Sequence, residues 1–122
     1  MDPLADNTLK KFQKELNDGT VSLVLLAILG SSAEPLYGYQ IAKSIEGAWG
    51  EGVPVKQGTL YPVLRSMEEN GLLASRVEPS VSGPPRKYYS ITERGQAALS
   101  EWKAAWERTR SFVDATLEGN VV

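Results

Sequence analysis

The fold of this chain is decided by one stretch of sequence, QGTLYPVLRSMEENGLL, which occupies residues 57–73. Its apolar residues recur at i, i+3, i+4 and i+7, as one face of an α-helix requires, at Leu60, Val63, Leu64 and Met67. We predict a helix over residues 57–70, with Pro62 near its first turn, where a missing N–H matters least. Asn70-Gly71 is typical of a helix C-terminus.

Two strands and a long helix are predicted on the C-terminal side of this stretch. Residues 72–77 and 86–91 have strand composition, and the turn-rich segment 78–85 separates them as the tip of a hairpin. Thr92 is placed to cap a final helix that ends at about residue 117.

Three helices are predicted on the N-terminal side. The nearest runs from about residue 38 to residue 48, and its inward stripe is Ile41, Ala42, Ile45 and Trp49. Residues 50–54 have loop composition. Further upstream we predict separate helices over residues 9–16 and 21–29, because Asp18-Gly19 favours a break and Thr20 is a good N-cap.

The last helix carries a second pattern, a coiled-coil-like seam. Apolar and threonine side chains alternate at spacings of three and four at Leu99, Trp102, Trp106, Thr109, Val113 and Thr116. A helix of about 25 residues is roughly 37 Å long, more than one small domain can cover. We therefore expect the seam to contact a second copy of the chain.

Composition excludes several classes of function. The 122 residues contain no cysteine and no histidine, so a disulfide framework, a Cys/His zinc site and a Ser-His-Asp or Cys-His catalytic pair cannot be built. We predict no enzymatic activity, no metal and no cofactor. No apolar run reaches the roughly 18 residues of a membrane span, and the acidic N-terminus is unlike a signal peptide. The sequence therefore predicts a cytoplasmic protein without a membrane partner.

The charge distribution permits DNA binding without demanding it. The net charge is −2, but residues 37–90 hold six basic and five acidic side chains, so the acidic excess lies in the flanks. Phosphate contacts depend on local and not on global charge.

The order of the predicted elements is that of a winged helix-turn-helix, mainly α with a small two-stranded β wing. In this arrangement the third helix enters the major groove and the wing contacts the nearby backbone. The inward stripe of residues 57–70 leaves polar side chains suited to bases and phosphates on or beside the outer face: Gln57, Thr59, Tyr61 and Arg65. Arg86-Lys87 lies at the base of the wing tip. The same residues also fit ordinary surface roles, as packed aromatics, solvated charges or a strand edge protected from pairing.

The sequence resembles the PadR family of bacterial transcription regulators. The resemblance covers roughly residues 19–95 and rests on four strings in order: GTVSLVLLAIL (19–29), YGYQIA (37–42), GTLYPVLRSMEENGLL (58–73) and RKYYSITERG (86–95). It implies a winged-helix domain over residues 1–92, including an N-terminal arm helix, and a dimerisation helix over residues 93–122. The two would form one compact unit.

The resemblance also implies site residues and partners. The DNA-contacting motif of the family falls on Tyr37, Gly38, Tyr39, Gln57, Thr59, Tyr61 and Arg65, and the wing contribution on Gly83, Arg86 and Lys87. The partners implied are a palindromic duplex operator and a second copy held through the C-terminal helix, with help from Leu9 and Phe12. Family members are typically repressors, and some release DNA on binding a small planar aromatic compound. In a multidrug-sensing member of the family a tryptophan of the last helix stacks planar drugs; Trp106 is the closest match to it and Trp102 lies one turn earlier, although a tryptophan at a seam position can also be interface core.

Three functional readings remain open on the sequence alone. The first is a homodimeric DNA-binding repressor, which predicts binding that weakens steeply with salt. The second is a dimeric winged helix that binds proteins and has no DNA affinity. The third is a ligand-storing or catalytic pocket at Trp102 and Trp106, where the lack of histidine and cysteine disfavours catalysis.

Overall fold

The computed structural model describes residues 3–50 and 56–120, with side chains from residue 7 onward, so most of the loop predicted at residues 50–54 lies outside the described residues. The described part contains four helices: α1 (Pro3–Ser31), α2 (Gly38–Trp49), α3 (Gln57–Glu69) and α4 (Glu93–Leu117). Its strands are β1 (Leu36–Tyr37), β2 (Leu73–Glu78) and β3 (Arg86–Ile91). The predictions of α2, α3, α4 and the hairpin strands are confirmed to within about two residues.

The N-terminal region is one helix of 29 residues, so the predicted break at Asp18-Gly19 is wrong. Side-chain pairs one turn apart reach the expected break from its N-terminal side: Lys14 donates to Asp18 at 2.8 Å and Gln13 to Asn17 at 2.9 Å. Such pairs stabilise a helix and offset the cost of one glycine. Thr20 does not cap a helix, because its hydroxyl donates to the carbonyl oxygen of Leu16 at 2.9 Å.

The sheet has three strands in the order β1-β3-β2, and not the two predicted. β3 pairs antiparallel with β2 from Leu73 opposite Ile91 to Glu78 opposite Arg86. Its other edge pairs with β1, where Leu36 lies opposite Tyr89 and Tyr37 opposite Tyr88. The short β1 thus joins the start of α2 to the wing.

One apolar core lies between α1, α2, α3 and the sheet. Every element except β1 supplies buried residues: Val21, Leu25, Leu26, Leu29, Ile41, Ile45, Leu60, Leu64, Met67, Leu73, Tyr89 and Leu99. Two predictions about residues of α2 and α3 are wrong. Trp49 ends α2 with 56% of its surface exposed, because the buried stripe of this helix stops at Ile45. Pro62 lies in the second turn of α3 and not in the first.

The start of α4 is fixed against the turn between α3 and β2. The hydroxyl of Thr92 accepts the N–H of Gly95 at 3.0 Å, which confirms the predicted cap. The same hydroxyl donates to the carbonyl oxygen of Gly71 at 2.7 Å, and the N–H of Thr92 donates to that of Leu72 at 3.1 Å. Further along, Leu99 packs on Gly30 and attaches α4 to α1.

Candidate nucleic-acid interface

α3 presents an exposed row flanked by two recesses. Opposite its buried residues lie, at 100° per residue, four exposed residues: Gly58, Pro62, Arg65 and Glu69. Tyr61 lies on the flank that faces the wing, and Thr59 lies on the flank that faces α1. Both flanks are open at the surface.

The recess on the wing side, the wing cleft, gathers most of the predicted DNA contacts. It has a volume of about 380 Å³ and lies between α3, the start of α2 and β3. Its lining residues are Tyr37, Gly38, Tyr61, Arg65, Pro85, Arg86, Lys87 and Tyr89. Six of these are residues that the sequence analysis assigned to DNA, although they come from three separate segments of the chain.

Gly38 and Gln57 hold the ring of Tyr61 in the wing cleft. The amide of Gln57 donates to the Tyr61 hydroxyl at 3.1 Å, one turn away on α3. On the other side, a Cβ atom at Gly38 would lie 2.6 Å from the hydroxyl and from a ring carbon of Tyr61. Position 38 therefore needs a glycine for the ring to stay where it is.

Three tyrosines lie together beside the wing cleft, and we call them the tyrosine cluster: Tyr37, Tyr39 and Tyr88. Two cations contact their rings. The Tyr37 ring is stacked with Tyr39 at 6.4 Å and meets Tyr88 edge-on at 5.3 Å between ring centroids. The guanidinium carbon of Arg86 lies 4.5 Å from the centroid of Tyr37, and Lys43 Nζ lies 5.5 Å from that of Tyr39. The cation–π contact orients Arg86 without neutralising it, whereas Lys43 also forms an ion pair with Glu46 at 3.1 Å.

The sequence analysis missed Tyr88 and Lys43. The alternation of β3 puts Tyr88 on the same face as Arg86, and that pattern was available. Its contact with Tyr37 depends on the pairing of β1 with β3, which no local pattern indicates.

Lys87 faces α3, where it forms an ion pair. Its Nζ lies 2.9 Å from Oε1 of Glu68, and the second oxygen of that carboxylate accepts a hydrogen bond from Ser75. The hydrogen bonds from Ser75 and then from Lys87 hold the pKa of Glu68 below its usual value. The hydrogen bond to Glu68 raises the pKa of Lys87. These contacts tie the wing to α3.

This ion pair makes stability depend on pH. A carboxylate with a lowered pKa contributes stability above its unfolded pKa, about 4.3, and loses it as the pH falls through the folded value. The raised pKa of Lys87 acts in the opposite direction. Its contribution to stability is complete below the unfolded pKa of lysine, about 10.4, and is lost as the pH rises through the folded value. Glu68→Gln should therefore lower the free energy of unfolding by up to about 1 kcal/mol near pH 7. In urea titrations the difference from the parent protein should shrink as the pH falls below about 4.3 and vanish once the pH is below the lowered pKa of Glu68; a difference that stayed constant across this range would contradict this assignment.

The remaining predicted DNA contacts lie outside the wing cleft. Thr59 is on the opposite flank of α3. Gly83 lies at the exposed wing tip with φ 106°, and the tip is closed by Ser80, whose hydroxyl lies 3.0 Å from the carbonyl oxygen of Gly83 and 2.9 Å from that of Pro84.

The tryptophans of α4 line an apolar cleft against the middle of α1. Trp102 and Trp106 border a volume of about 540 Å³ together with residues such as Leu16 and Leu23. A second recess of about 350 Å³ lies between Trp106 and Trp49. The sequence analysis did not connect Trp49 with this region, because it placed that side chain in the core.

The predicted dimer residues divide into two groups. Leu99 is 9% exposed and belongs to the core of its own chain, so its assignment to the seam is wrong. Trp102 also packs partly against that core. Apolar side chains remain exposed on the outer parts of the two long helices: Leu9, Phe12, Leu16, Trp106, Phe112, Val113 and Leu117.

Within residues 3–50 and 56–120 there is no helix with the length and hydropathy of a membrane span. The same residues contain no group of three or more acidic side chains arranged to hold a metal ion.

Comparisons with known proteins by sequence and by structure match the chain to the same family. Residues 25–101 match the PadR-like family of transcriptional regulators. The crystal structure of a PadR family transcriptional regulator from Eggerthella lenta, 36% identical, superposes with a TM-score of 0.83 over 98% of this chain and 100% of that one. A PadR-like transcriptional regulator from Bacillus cereus, 30% identical, gives 0.68 over 84% and 96%. A transcriptional regulator of Mycobacterium tuberculosis is 41% identical over 69 residues, which are 52% of this chain and 64% of that protein.

The three-stranded wing packed behind an exposed third helix defines a winged-helix protein of the DNA-binding type. The family resemblance found in the sequence is confirmed by the match over residues 25–101. The chain belongs to the PadR-like family of transcriptional regulators, and its relatives are regulators and not enzymes.

Proposed function

We propose that this protein is a homodimeric repressor that binds a palindromic operator with α3 in the major groove and the wing on the backbone. The observation that carries the proposal is the wing cleft. It brings Tyr61 and Arg65 of α3 together with Arg86 of the wing beside the exposed row of the helix. Arginine and tyrosine are residue types that bind phosphates and base edges. The protein would act in the cytoplasm.

The polarity of the exposed row indicates how sequence would be recognised. Gly58 and Pro62 offer no side-chain hydrogen bond to a base, and Glu69 is an anion at the C-terminal end of the row. Arg65 is the one cation in the row. An arginine binds guanine O6 and N7 with two hydrogen bonds. Thr59 and Gln57 are available for bases or phosphates at the margins, and Gly83 for backbone contact at the wing tip.

Exposed apolar surface on both long helices supports the proposed dimer. Phe12 is 58% exposed, Phe112 61% and Leu117 80%, and neither helix buries these side chains within its own chain. A second copy that pairs α1 and α4 with their equivalents would cover them, in line with the proposed division into a DNA-binding domain (1–92) and a dimerisation helix (93–122). In such a dimer Leu9, Trp106, Thr109 and Val113 would contact the partner.

The tryptophan cleft supports a small planar aromatic effector. Its volume of about 540 Å³ lies within the range of about 300–1,000 Å³ that ligand pockets occupy. Trp102 and Trp106 would supply flat surfaces for stacking. Because the cleft borders the exposed faces of α1 and α4, a bound compound would alter the packing of the two copies and release the operator.

The first test is a gel-shift titration with duplex DNA from upstream of the protein's own gene, at two salt concentrations and with a panel of planar aromatic compounds. A specific shift that weakens with salt supports the repressor. Loss of the shift with one compound, together with quenching of tryptophan fluorescence, supports the effector cleft. The absence of any shift at low salt would overturn DNA binding and favour a winged helix that binds proteins.

Substitutions in the wing cleft should separate DNA binding from folding. Tyr61→Ala and Arg65→Ala should each weaken operator binding about tenfold to a hundredfold, since each removes a contact worth about 1–3 kcal/mol. Sedimentation should show an unchanged oligomer.

Lys103→Ala is the matched control for the loss of a cation, because Lys103 is exposed on α4 and lines neither the wing cleft nor the tryptophan cleft. It should bind the operator as the parent does. Unchanged binding by both cleft variants would remove α3 from the mechanism.

A further inference from the structure

A second recess lies on the flank of α3 that faces away from the wing. It has a volume of about 530 Å³ between residues 10–21 of α1 and residues 56–59 at the start of α3, and we call it the lysine groove. Its lining residues are Lys10, Gln13, Lys14, Asn17, Asp18, Val21, Lys56 and Thr59. None of the lysines was assigned a role by the sequence analysis.

The chemistry of the lysine groove is that of a phosphate-binding surface. Lysine, glutamine, asparagine and threonine side chains all contact nucleic-acid backbones, and they make up six of its eight lining residues. Without counting Lys10, two cations of the groove, Lys14 and Lys56, face one carboxylate, that of Asp18. The groove is therefore positively charged although the chain as a whole has a net charge of −2.

The ion pair inside the groove is exposed and can exchange partners. Lys14 Nζ lies 2.8 Å from Asp18, but their side chains are 78% and 57% exposed. Exposed pairs of this kind are weak, because water and salt compete for both charges. A phosphate can therefore replace the carboxylate as the partner of Lys14.

The groove lies where the second strand of a duplex would pass if α3 lay in the major groove. An α-helix with its side chains is about 10–12 Å wide and fills a major groove about 12 Å wide. The phosphates of the two DNA strands then run along the two flanks of the helix. Tyr61 and the wing cleft lie on one flank of α3, whereas Thr59 and the N-cap residue Lys56 lie on the other.

We propose that the lysine groove is a second phosphate-binding site, which holds the DNA strand opposite to the one that the wing cleft contacts. Lys14 and Lys56 bind the phosphates, and α1 thereby takes part in DNA binding. The proposal rests on the proposed function, since it requires α3 to lie in the major groove.

The test compares lysines inside and outside the groove by the salt dependence of operator binding. Lys14→Ala and Lys56→Ala should each lower affinity about threefold to tenfold at low salt and reduce the slope of log K against log salt by about 1. The effect should be the same on specific and on unrelated duplexes, because phosphates carry no sequence. Lys11→Ala is the matched control: Lys11 is an exposed lysine of α1 that does not line the groove, and its loss should leave the slope unchanged.

A substitution of the carboxylate gives a change in the opposite direction. Asp18→Asn removes the competitor of Lys14 and keeps a helix-compatible side chain, so it should tighten binding about twofold to fivefold. Equal or weaker binding by this variant would overturn the role of Lys14.

The outcomes distinguish this proposal from the proposed function. If the parent protein binds and Tyr61→Ala weakens binding, but Lys14→Ala and Lys56→Ala keep the parent slope, the lysine groove is not a phosphate site. If the parent binds no duplex at low salt, the proposed function itself fails. Within each half-site of the operator, phosphate-ethylation interference that Lys14→Ala abolishes on one strand only would support the groove directly.

Discussion

Replacing Gly95 with alanine is expected to lower the free energy of unfolding by about 2–3 kcal/mol, the cost of forcing an extra group into a packed site. A Cβ atom at this position would lie 2.2 Å from the carbonyl oxygen of Leu72 and 2.7 Å from a side-chain carbon of Ile91. The carbonyl is backbone and cannot rotate away. The first turn of α4 would have to move from the turn between α3 and β2, which would also strain the hydrogen bonds of Thr92.

The matched control for this substitution is Gly47→Ala. Gly47 lies in α2, and a Cβ atom there would meet nothing within 4 Å, so alanine should stabilise the protein by about 0.5–1 kcal/mol through helix propensity. Thermal unfolding at one fixed protein concentration should show Tm lowered by roughly 10 °C for Gly95→Ala and slightly raised for Gly47→Ala. A Gly95→Ala protein as stable as the parent would refute the close approach.

Replacing Gly58 with glutamate should abolish operator binding while leaving the protein folded. Gly58 is the second residue of α3 and is exposed, with open space where a Cβ atom would stand. A carboxylate near a helix N-terminus is favourable, so stability should be kept. On the face proposed to enter the major groove, the new charge would lie among phosphates, and like-charge contacts at an interface cost several kcal/mol. We expect affinity to fall about a hundredfold or more.

Two controls separate the effect of a charge at position 58 from the effects of added bulk and of net charge. Gly58→Ala adds a methyl group without charge and should bind within about threefold of the parent, because open space surrounds the site. Ala97→Glu makes the same change of net charge at an exposed position of α4 and should have a small effect. Equal losses for Gly58→Glu and Ala97→Glu would show that net charge, and not contact through α3, governs binding.

The elements that sequence predicted well are those specified by local patterns. The spacing of Leu60, Leu64 and Met67 predicted α3, and these three side chains are buried as expected. The threonine cap at the start of α4 also followed from local chemistry, since its hydroxyl bonds to an N–H three residues later.

The elements that sequence predicted poorly depend on contacts that a pattern does not contain. Asp18-Gly19 has the composition of a helix end, but α1 continues through it, and the Thr20 hydroxyl donates to the carbonyl oxygen of Leu16 across it. β1 has two residues, and its partner strand lies about fifty residues further along the chain. Leu99 has the spacing of an interface seam, yet α4 crosses α1 at Gly30 and buries it within the chain.

The candidate site also combines residues that local patterns indicate with contacts that only tertiary packing creates. Residue types and the outer face of α3 allowed Tyr61, Arg65 and Arg86 to be nominated, and the structure brings them to one cleft. The Glu68–Lys87 ion pair joins a helix to a strand, and the lysine groove joins two helices whose crossing is set by the core. Neither arrangement has a periodicity of its own, because both arise from tertiary packing.

The central position of β3 has a consequence for biosynthesis. β1 and β2 are both synthesised before β3 and pair only with it, so neither has a strand partner until residues 86–91 have left the ribosome. At about 5–20 residues per second, the fifty or so residues from β1 to β3 take roughly 3–10 s to make. By the end of that interval the nascent chain contains the residues of α1, α2 and α3 but has no sheet. The wing cleft is completed only as the last third of the chain appears, so a polypeptide released before then lacks this surface.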